Sequence, residues 1–264
     1  MSKLCIGIIT NPTPTKNKYG ASYIRKLYID WFEKNGICVV PIPYDTVEYE
    51  SYFNRVNGLC ITGIPKGGYK LNSSFLKTLT RIFELSLQSH EYFPIWGECY
   101  GYQLMMFLIG NFNVLKKYHA SGLYPLRIIS DKKKSRLLAS FSKEYIHYLE
   151  HHRSTTHNHS HGISPEDFKA NPHLRRFYHI VATAIDDSGK EYIAAIEANY
   201  YPIYGLAFHA EEAKKGLPFI SFLISELKKN KHVCAHVPYL HTKKQYHKSM
   251  INTIEPIIHE YYFF

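Results

Sequence analysis

The chain has 264 residues, and 32 Lys and Arg against 22 Asp and Glu leave a formal charge of +10 with its 16 histidines counted neutral. A hydrophobic content of 45% and an aromatic content of 15% exclude a chain that stays disordered. No run reaches the ~18 apolar residues that span a bilayer, and the apolar part of the first residues is too short for a secretory signal, so the composition predicts a cytoplasmic α/β protein with its own core.

The five cysteines, Cys5, Cys38, Cys60, Cys99 and Cys234, form no CxxC pair. An odd number without that spacing disfavours a disulfide framework and a zinc knuckle, and leaves at least one free thiol. Lysines and arginines fall in short clusters, Lys116-Lys117, Lys132-Lys133-Lys134 with Arg136, Lys214-Lys215, Lys228-Lys229 and Lys243-Lys244. They make no single stripe, and no zinc-finger, RNA-recognition or basic-zipper pattern accompanies them, so no nucleic-acid partner is expected.

In chain order, Lys3–Ile9 reads as a β-branched strand ended by Asn11-Pro12-Thr13-Pro14. Tyr23, Ile24, Leu27, Tyr28, Trp31 and Phe32 recur at helical spacing, which predicts one helix face, terminated by Asn35-Gly36. Strands follow at Cys38–Ile42 and Gly58–Ile61, then an amphipathic helix near Ser73–Gln88. A strand at Phe93–Trp96 runs into Gly97-Glu98-Cys99-Tyr100-Gly101 and an apolar helix over Tyr102–Ile109.

The stretch Asn111–Arg176 is polar and weakly periodic, and predicts hairpins, loops and a short helix. Ile180–Ile185 and Tyr192–Glu197 predict a β-hairpin, Tyr201–Phe208 another strand, and Pro218–Lys229 a helix. Met250–Phe264 reads as extended, because Pro256 opposes one unbroken helix. Strand alternating with helix over the first two-thirds is the pattern of a parallel sheet covered on both faces, in one domain over residues 1–264.

Two features carry chemistry. A nucleophile on a sharp strand-to-helix turn needs small neighbours two positions to either side, and Gly97 and Gly101 flank Cys99 in that way. The turn also aligns the sulfur with the amino end of the next helix, where N–H groups attract negative charge. Further on, His209-Ala210-Glu211 ends a strand and places a base and an acid two residues apart. A thiol, an imidazole and a carboxylate are the parts of a nucleophilic triad.

Gly97-Glu98-Cys99-Tyr100-Gly101-Tyr102-Gln103 with His209-x-Glu211 resembles the class I glutamine amidotransferase-like (flavodoxin-like) fold. Tyr19–Ile24, Val39–Ile42, Val56-Asn57-Gly58, Phe93–Gly97 and Tyr201–Gly205 narrow the resemblance to the gamma-glutamyl hydrolase family, in collinear order over Leu4–Glu211. It implies a cysteine peptidase with omega peptidase activity on folylpoly-gamma-glutamates or related gamma-glutamyl conjugates, a parallel central sheet with extra hairpins, and no cofactor. The implied partner is a small gamma-glutamyl substrate, without nucleic acid or membrane and with a homodimer left open.

By the same resemblance Cys99 is the nucleophile, His209 the general base, Glu211 its orienting acid, and His159 a second active-site histidine in a loop, with His161 as runner-up. Oxyanion donors fall at Gly63 or Ile64 and at Tyr100. The family carries Pro-Gly-Gly where this chain reads Thr62-Gly63-Ile64, so either Ile64 takes the glycine's place or the loop is re-registered through Gly67-Gly68. Ala210 stands where the family has Pro, and Gln103 where it often has Glu. A glutaminase feeding a partner and a non-catalytic binding protein are the alternative expectations. His151, His152, His157, His159 and His161 lack an acid or Cys at zinc-like spacing, so no metal site is expected.

Overall fold

A computed structural model of the chain describes residues 3–13, 20–63, 73–110, 114–234, 244–249 and 257–264. They fall into two compact units, Met1–Leu59, Gly67–Glu91 and Lys231–Phe264 in one, Cys60–Lys66 and Tyr92–Asn230 in the other. Among the described residues no helix is long and apolar enough to cross a membrane.

In the first unit β1 (Leu4–Ile9), buried from Cys5 onward, is followed by β2 (Asn11–Pro12), β3 (Ser22–Arg25), α1 (Lys26–Glu33) and β4 (Ile37–Ile42). β1 and β4 pair in parallel, Cys5 opposite Cys38, and near-continuous apolar runs suit strands covered on both faces. α1 buries Tyr28, Ile29 and Phe32, and the turn that follows it closes at Gly36, whose φ of +78° is a left-handed conformation that glycine adopts without strain. The chain continues through α2 (Tyr49–Phe53) and β5 (Leu59–Ile61), the strand on which the unit boundary falls, and α3 (Ser74–Gln88), whose first turn is capped by the Ser73 hydroxyl.

Tyr23 and Ile24 are not on the helix that their spacing predicts. They lie in β3 and are buried, with Ile24 opposite Tyr262 and Tyr23 opposite Phe263. A short apolar run satisfies either period, and here pairing with the far end of the chain decides. Of Met250–Phe264, which the sequence predicts to be extended, residues 250–256 lie outside the described residues, and Ile257–Phe263 is a strand that belongs to an antiparallel sheet whose order ends with β2. In it, β13 (Lys244–Ser249), for which the sequence offers no expectation, pairs with β14 (Ile257–Phe263). Cys5 and Cys234 form a disulfide across 229 residues of sequence, while Cys38, Cys60 and Cys99 are free thiols. The odd count guarantees a free thiol but does not forbid the pair.

The second unit contains β6 (Ile95–Glu98), α4 (Tyr100–Gly110), β7 (Lys116–Tyr124), β8 (Arg127–Ile128), α5 (Arg136–Ala139), α6 (Lys143–His151), β9 (Thr155–Gly162), α7 (Pro165–Ala170), α8 (Pro172–Phe177), β10 (Tyr178–Ile185), β11 (Glu191–Ala198), β12 (Ile203–Leu206) and α9 (Leu217–Leu227). Its sheet runs β6-β12-β11-β10-β8. β6 and β12 are parallel, while the β10–β11 hairpin and its neighbours are antiparallel. The polar middle third holds more helix than its weak periodicity predicts, α5 to α8, because short helices capped by Ser135, Ser142, Ser164 and Asn171 need little apolar repeat. The histidine-rich segment, expected as a loop, is strand β9, paired antiparallel with β7.

The buried Glu197 of β11 pins this layer. Its carboxylate accepts from Ser135 Oγ at 2.8 Å, Arg136 Nε at 2.7 Å and the backbone N–H groups of Arg136 and Leu137, closing the open amino end of α5. Glu197→Ala leaves the guanidinium and those donors without their acceptor. It is expected to lower the unfolding free energy by about 3 kcal/mol, measured by urea titration.

Candidate active site

β6 and β12 run side by side with Gly97 opposite Gly205 and Glu98 opposite Leu206. The next N–H, that of Cys99, donates to the Leu206 carbonyl at 2.8 Å, so the strand pairing extends to the turn itself. Cys99 adopts φ 52°, a conformation that costs a residue with a Cβ of order 1 kcal/mol or more and persists only where the surroundings enforce it. α4 begins at Tyr100, which sets the sulfur at the helix start.

Gly101 is sterically required, and Gly97 is tightly packed. A Cβ on Gly97 would stand 2.3 Å from Met105 Sδ, and one on Gly101 would stand 1.9 Å from the Ile61 carbonyl oxygen. The first neighbour is a flexible side chain and the second is backbone. Gly101 therefore lets α4 start directly against the end of β5, which continues into the buried Thr62 and Gly63. Tyr100 follows the sulfur at the helix start. Ile64, like Gly67 and Gly68, lies outside the described residues.

Beyond β12 the chain reaches His209, whose N–H donates to Thr156 O of β9 at 2.9 Å, and then makes a 3-10 turn over Ala210–Glu212. The turn, rather than strand alternation, brings Glu211 back so that its Oε1 lies 2.9 Å from His209 Nδ1, with both side chains buried. Burial alone would push the imidazole pKa down. The charges of Glu211 and of Cys99, with hydrogen bonds to both, outweigh it and hold His209 well above the ordinary histidine value. His209 thus links the thiol to the carboxylate.

β9 forms the adjoining wall. Cys99 Sγ lies 3.7 Å from the Asn158 carbonyl oxygen, and Gln103 Nε2 of α4 donates to His161 O. Alternation along the strand buries His157 and His159 and exposes Asn158 and Ser160, whereas His161, of the buried parity, is exposed near the strand's end. His157 sits between the Tyr192 hydroxyl at 2.7 Å and the Thr155 hydroxyl at 2.9 Å, a structural position. His159 packs edge-on against Tyr192, and among the described residues no hydrogen-bond partner reaches either of its ring nitrogens. Burial, with the nearby His209 charge, pushes its pKa down to about 4.

Cys99, His209 and Glu211 are brought together, with His159 on the neighbouring strand and His161 turned outward. The sequence pattern assigned no role to Glu98, although an acid inside a strand as apolar as Phe93–Trp96 is itself a signal. Glu98 is fully buried, and its Oε1 accepts from Trp96 Nε1 at 2.6 Å.

A family model described as "Glutamine amidotransferase class-I" matches residues 19–217, and the chain belongs to that class. The fold is also that of a Thermoplasma acidophilum protein described as a GMP synthase subunit, at TM-score 0.58 and 14% identity over 86% of this chain and 96% of that one. A glutamine amidotransferase from Thermotoga maritima aligns at TM-score 0.51 and 17% identity, over 87% of this chain and 86% of that one.

Within the class, the chain is 34% identical to gamma-glutamyl hydrolase B of Dictyostelium discoideum, over 79% of this chain and 62% of that protein. It is 30% identical to the gamma-glutamyl hydrolase of Rattus norvegicus and 32% to that of Mus musculus, each over 81% of this chain and 74% of the relative. The chain belongs to the gamma-glutamyl hydrolase family.

The buried histidines of β9 set an acid limit. A histidine kept neutral by burial binds its proton first in the unfolded chain, so stability is lost as pH falls from 6.5 towards about 4. His157, pushed down by burial and by the charges of His159 and His209, acts in the same direction. His159→Gln is expected to flatten the pH dependence of the urea midpoint by the equivalent of up to about 3 kcal/mol over that window.

Proposed function

We propose that this chain is a cysteine-dependent hydrolase of gamma-glutamyl amide bonds, acting on folylpoly-gamma-glutamates or related conjugates, with Cys99, His209 and Glu211 as its catalytic residues. The observation that carries the reading is a thiol on a strained elbow joined to a buried His209–Glu211 pair, in a chain of the gamma-glutamyl hydrolase family.

The sulfur attacks the gamma-amide carbonyl carbon and forms the C–S bond. His209 gives its Nε2 proton to the departing amine as the C–N bond breaks. A water then attacks the thioester, His209 takes its proton, and the C–S bond breaks to release the free gamma-carboxyl product. Backbone N–H groups of Tyr100 and of Gly63 or Ile64 hold the oxyanion, an interaction in which one donor is typically worth about 10²–10³ in rate. His159 offers a neutral ring nitrogen to the bound glutamyl group. Exposed Lys214 and Lys215, just beyond the Glu211 turn, suit a substrate tail of carboxylates. The reaction uses no cofactor. The Cys5–Cys234 disulfide supports an oxidising compartment, vacuolar or secreted, over the cytoplasm that composition predicts.

Glutamate release from a poly-gamma-glutamyl substrate tests the reading. Cys99→Ala is expected to abolish release, and Glu211→Gln to lower kcat by about 10²–10⁴. Activity is lost as pH rises through the raised His209 pKa, so removing the Glu211 charge moves that alkaline limb to lower pH. Wild-type protein no more active than Cys99→Ala overturns the proposal.

A further inference from the structure

The acid inside the elbow has no part in the reaction as written. Glu98 ends β6 one residue before Cys99, and its side chain is wholly buried. Trp96 Nε1 satisfies Oε1, but among the described residues no donor reaches Oε2. One oxygen of Glu98, a ring nitrogen of His209 and one oxygen of Glu211 all lie within 4.8 Å of one another. The other titratable groups that act on this cluster are the Cys60 thiol on β5, Cys99 itself and, through His209, the neutral His157 and His159 of β9.

Two carboxylates this close in a dry site cannot both ionise, so one proton stays with the pair. Glu211 is committed to His209 Nδ1, where a negative charge is matched by the imidazolium. The partner of Glu98 Oε1 is a neutral indole N–H, which leaves a charge there poorly matched. The proton therefore belongs on Glu98. Burial, the Glu211 charge and a hydrogen bond with the Glu211 carboxyl all push its acid form to higher pH, against the weaker pull of the Trp96 N–H and His209.

We propose that Glu98 is a positioning residue of this site, a neutral carboxylic acid whose O–H donates from Oε2 to Glu211 and fixes that carboxylate against His209 Nδ1. The inference rests on the reading of Cys99, His209 and Glu211 as the reactive group. It adds a fourth member that never touches substrate. A second anchor on Glu211 holds the imidazole in one ring orientation through each proton transfer.

The test compares the full-length wild type with E98Q and E98A. A glutamine keeps the shape, donates an N–H to Glu211 and accepts from Trp96, whereas alanine removes both bonds. Three readouts are taken: the pH profile of Cys99 alkylation by iodoacetamide, kcat and KM on a poly-gamma-glutamyl substrate, and the infrared carbonyl band of a protonated carboxyl. E98A is expected to lose about 10–100-fold in kcat with KM little changed, and its alkaline limb to move down as Glu211 loosens from His209. E98Q is expected to recover most of that loss. The wild type at neutral pH is expected to show a carboxylic-acid band that E98Q lacks.

The proposal is overturned if E98Q is as impaired as E98A, if the band is missing, or if E98A behaves as wild type. Should E98A fail to fold, the wild-type against E98Q spectrum and profile still decide. Alkylation needs no gamma-glutamyl substrate, so failure of the substrate reading alone leaves the alkylation pattern intact.

Discussion

The hydrogen bond from Cys99 N–H to the Leu206 carbonyl, the last rung between β6 and β12, holds together two chain segments whose sequence positions are far apart. Beyond that rung the strands part. One turns sharply into α4 with Cys99 at φ 52°, and the other runs on through Phe208 to His209. The strain at Cys99 is tolerable because its neighbours leave it no alternative: the ladder fixes one side, and Gly101 wedged against the Ile61 carbonyl fixes the other. A methyl group at Gly101 would separate α4 from β5 and release both constraints at once.

The same dry surroundings treat three histidines differently, and their partners account for it. His209 faces a carboxylate and a thiol, so it keeps a proton despite burial. His157 faces two hydroxyls, which serve a neutral ring equally well, and burial prevails. Among the described residues His159 has neither, and burial keeps its ring neutral. A protonated and a neutral histidine therefore coexist on adjacent segments, as the proposed roles of His209 and His159 require.

The elbow was legible because its determinants are local. Gly101 stands where sterics demand it and Gly97 is tightly packed, the hairpin of β10 and β11 announces itself by Asp186-Asp187-Ser188-Gly189, and α3 carries its own cap at Ser73. What the sequence concealed depends on distant partners. Tyr23 and Ile24 become a strand only because Tyr262 and Phe263 pair with them, and Cys5 finds Cys234 only once the chain has closed. β9 was obscured by its polarity, since histidines alternate in it where apolar residues usually mark the buried face. The apolar run leading into Glu98 is the one local hint of its place, and its burial follows from the pairing of β6 with β12.

The excess of +10 takes on a narrower meaning beside this site. Lys116 with Asp167, Arg136 with Glu197 and Lys229 with Glu226 are matched pairs and contribute nothing to the excess. The described ionisable groups deepest at the elbow are Glu98, Glu211, His209 and the thiols of Cys99 and Cys60, a set with more acids than bases. Attraction for an anionic ligand therefore has to come from exposed lysines such as Lys214 and Lys215, at the surface and within reach of salt screening. In the proposed reaction, proton transfer between Cys99 and His209 takes place at buried side chains, away from salt. On that proposal ionic strength acts on encounter and binding, and the buried carboxyls act on the chemical step.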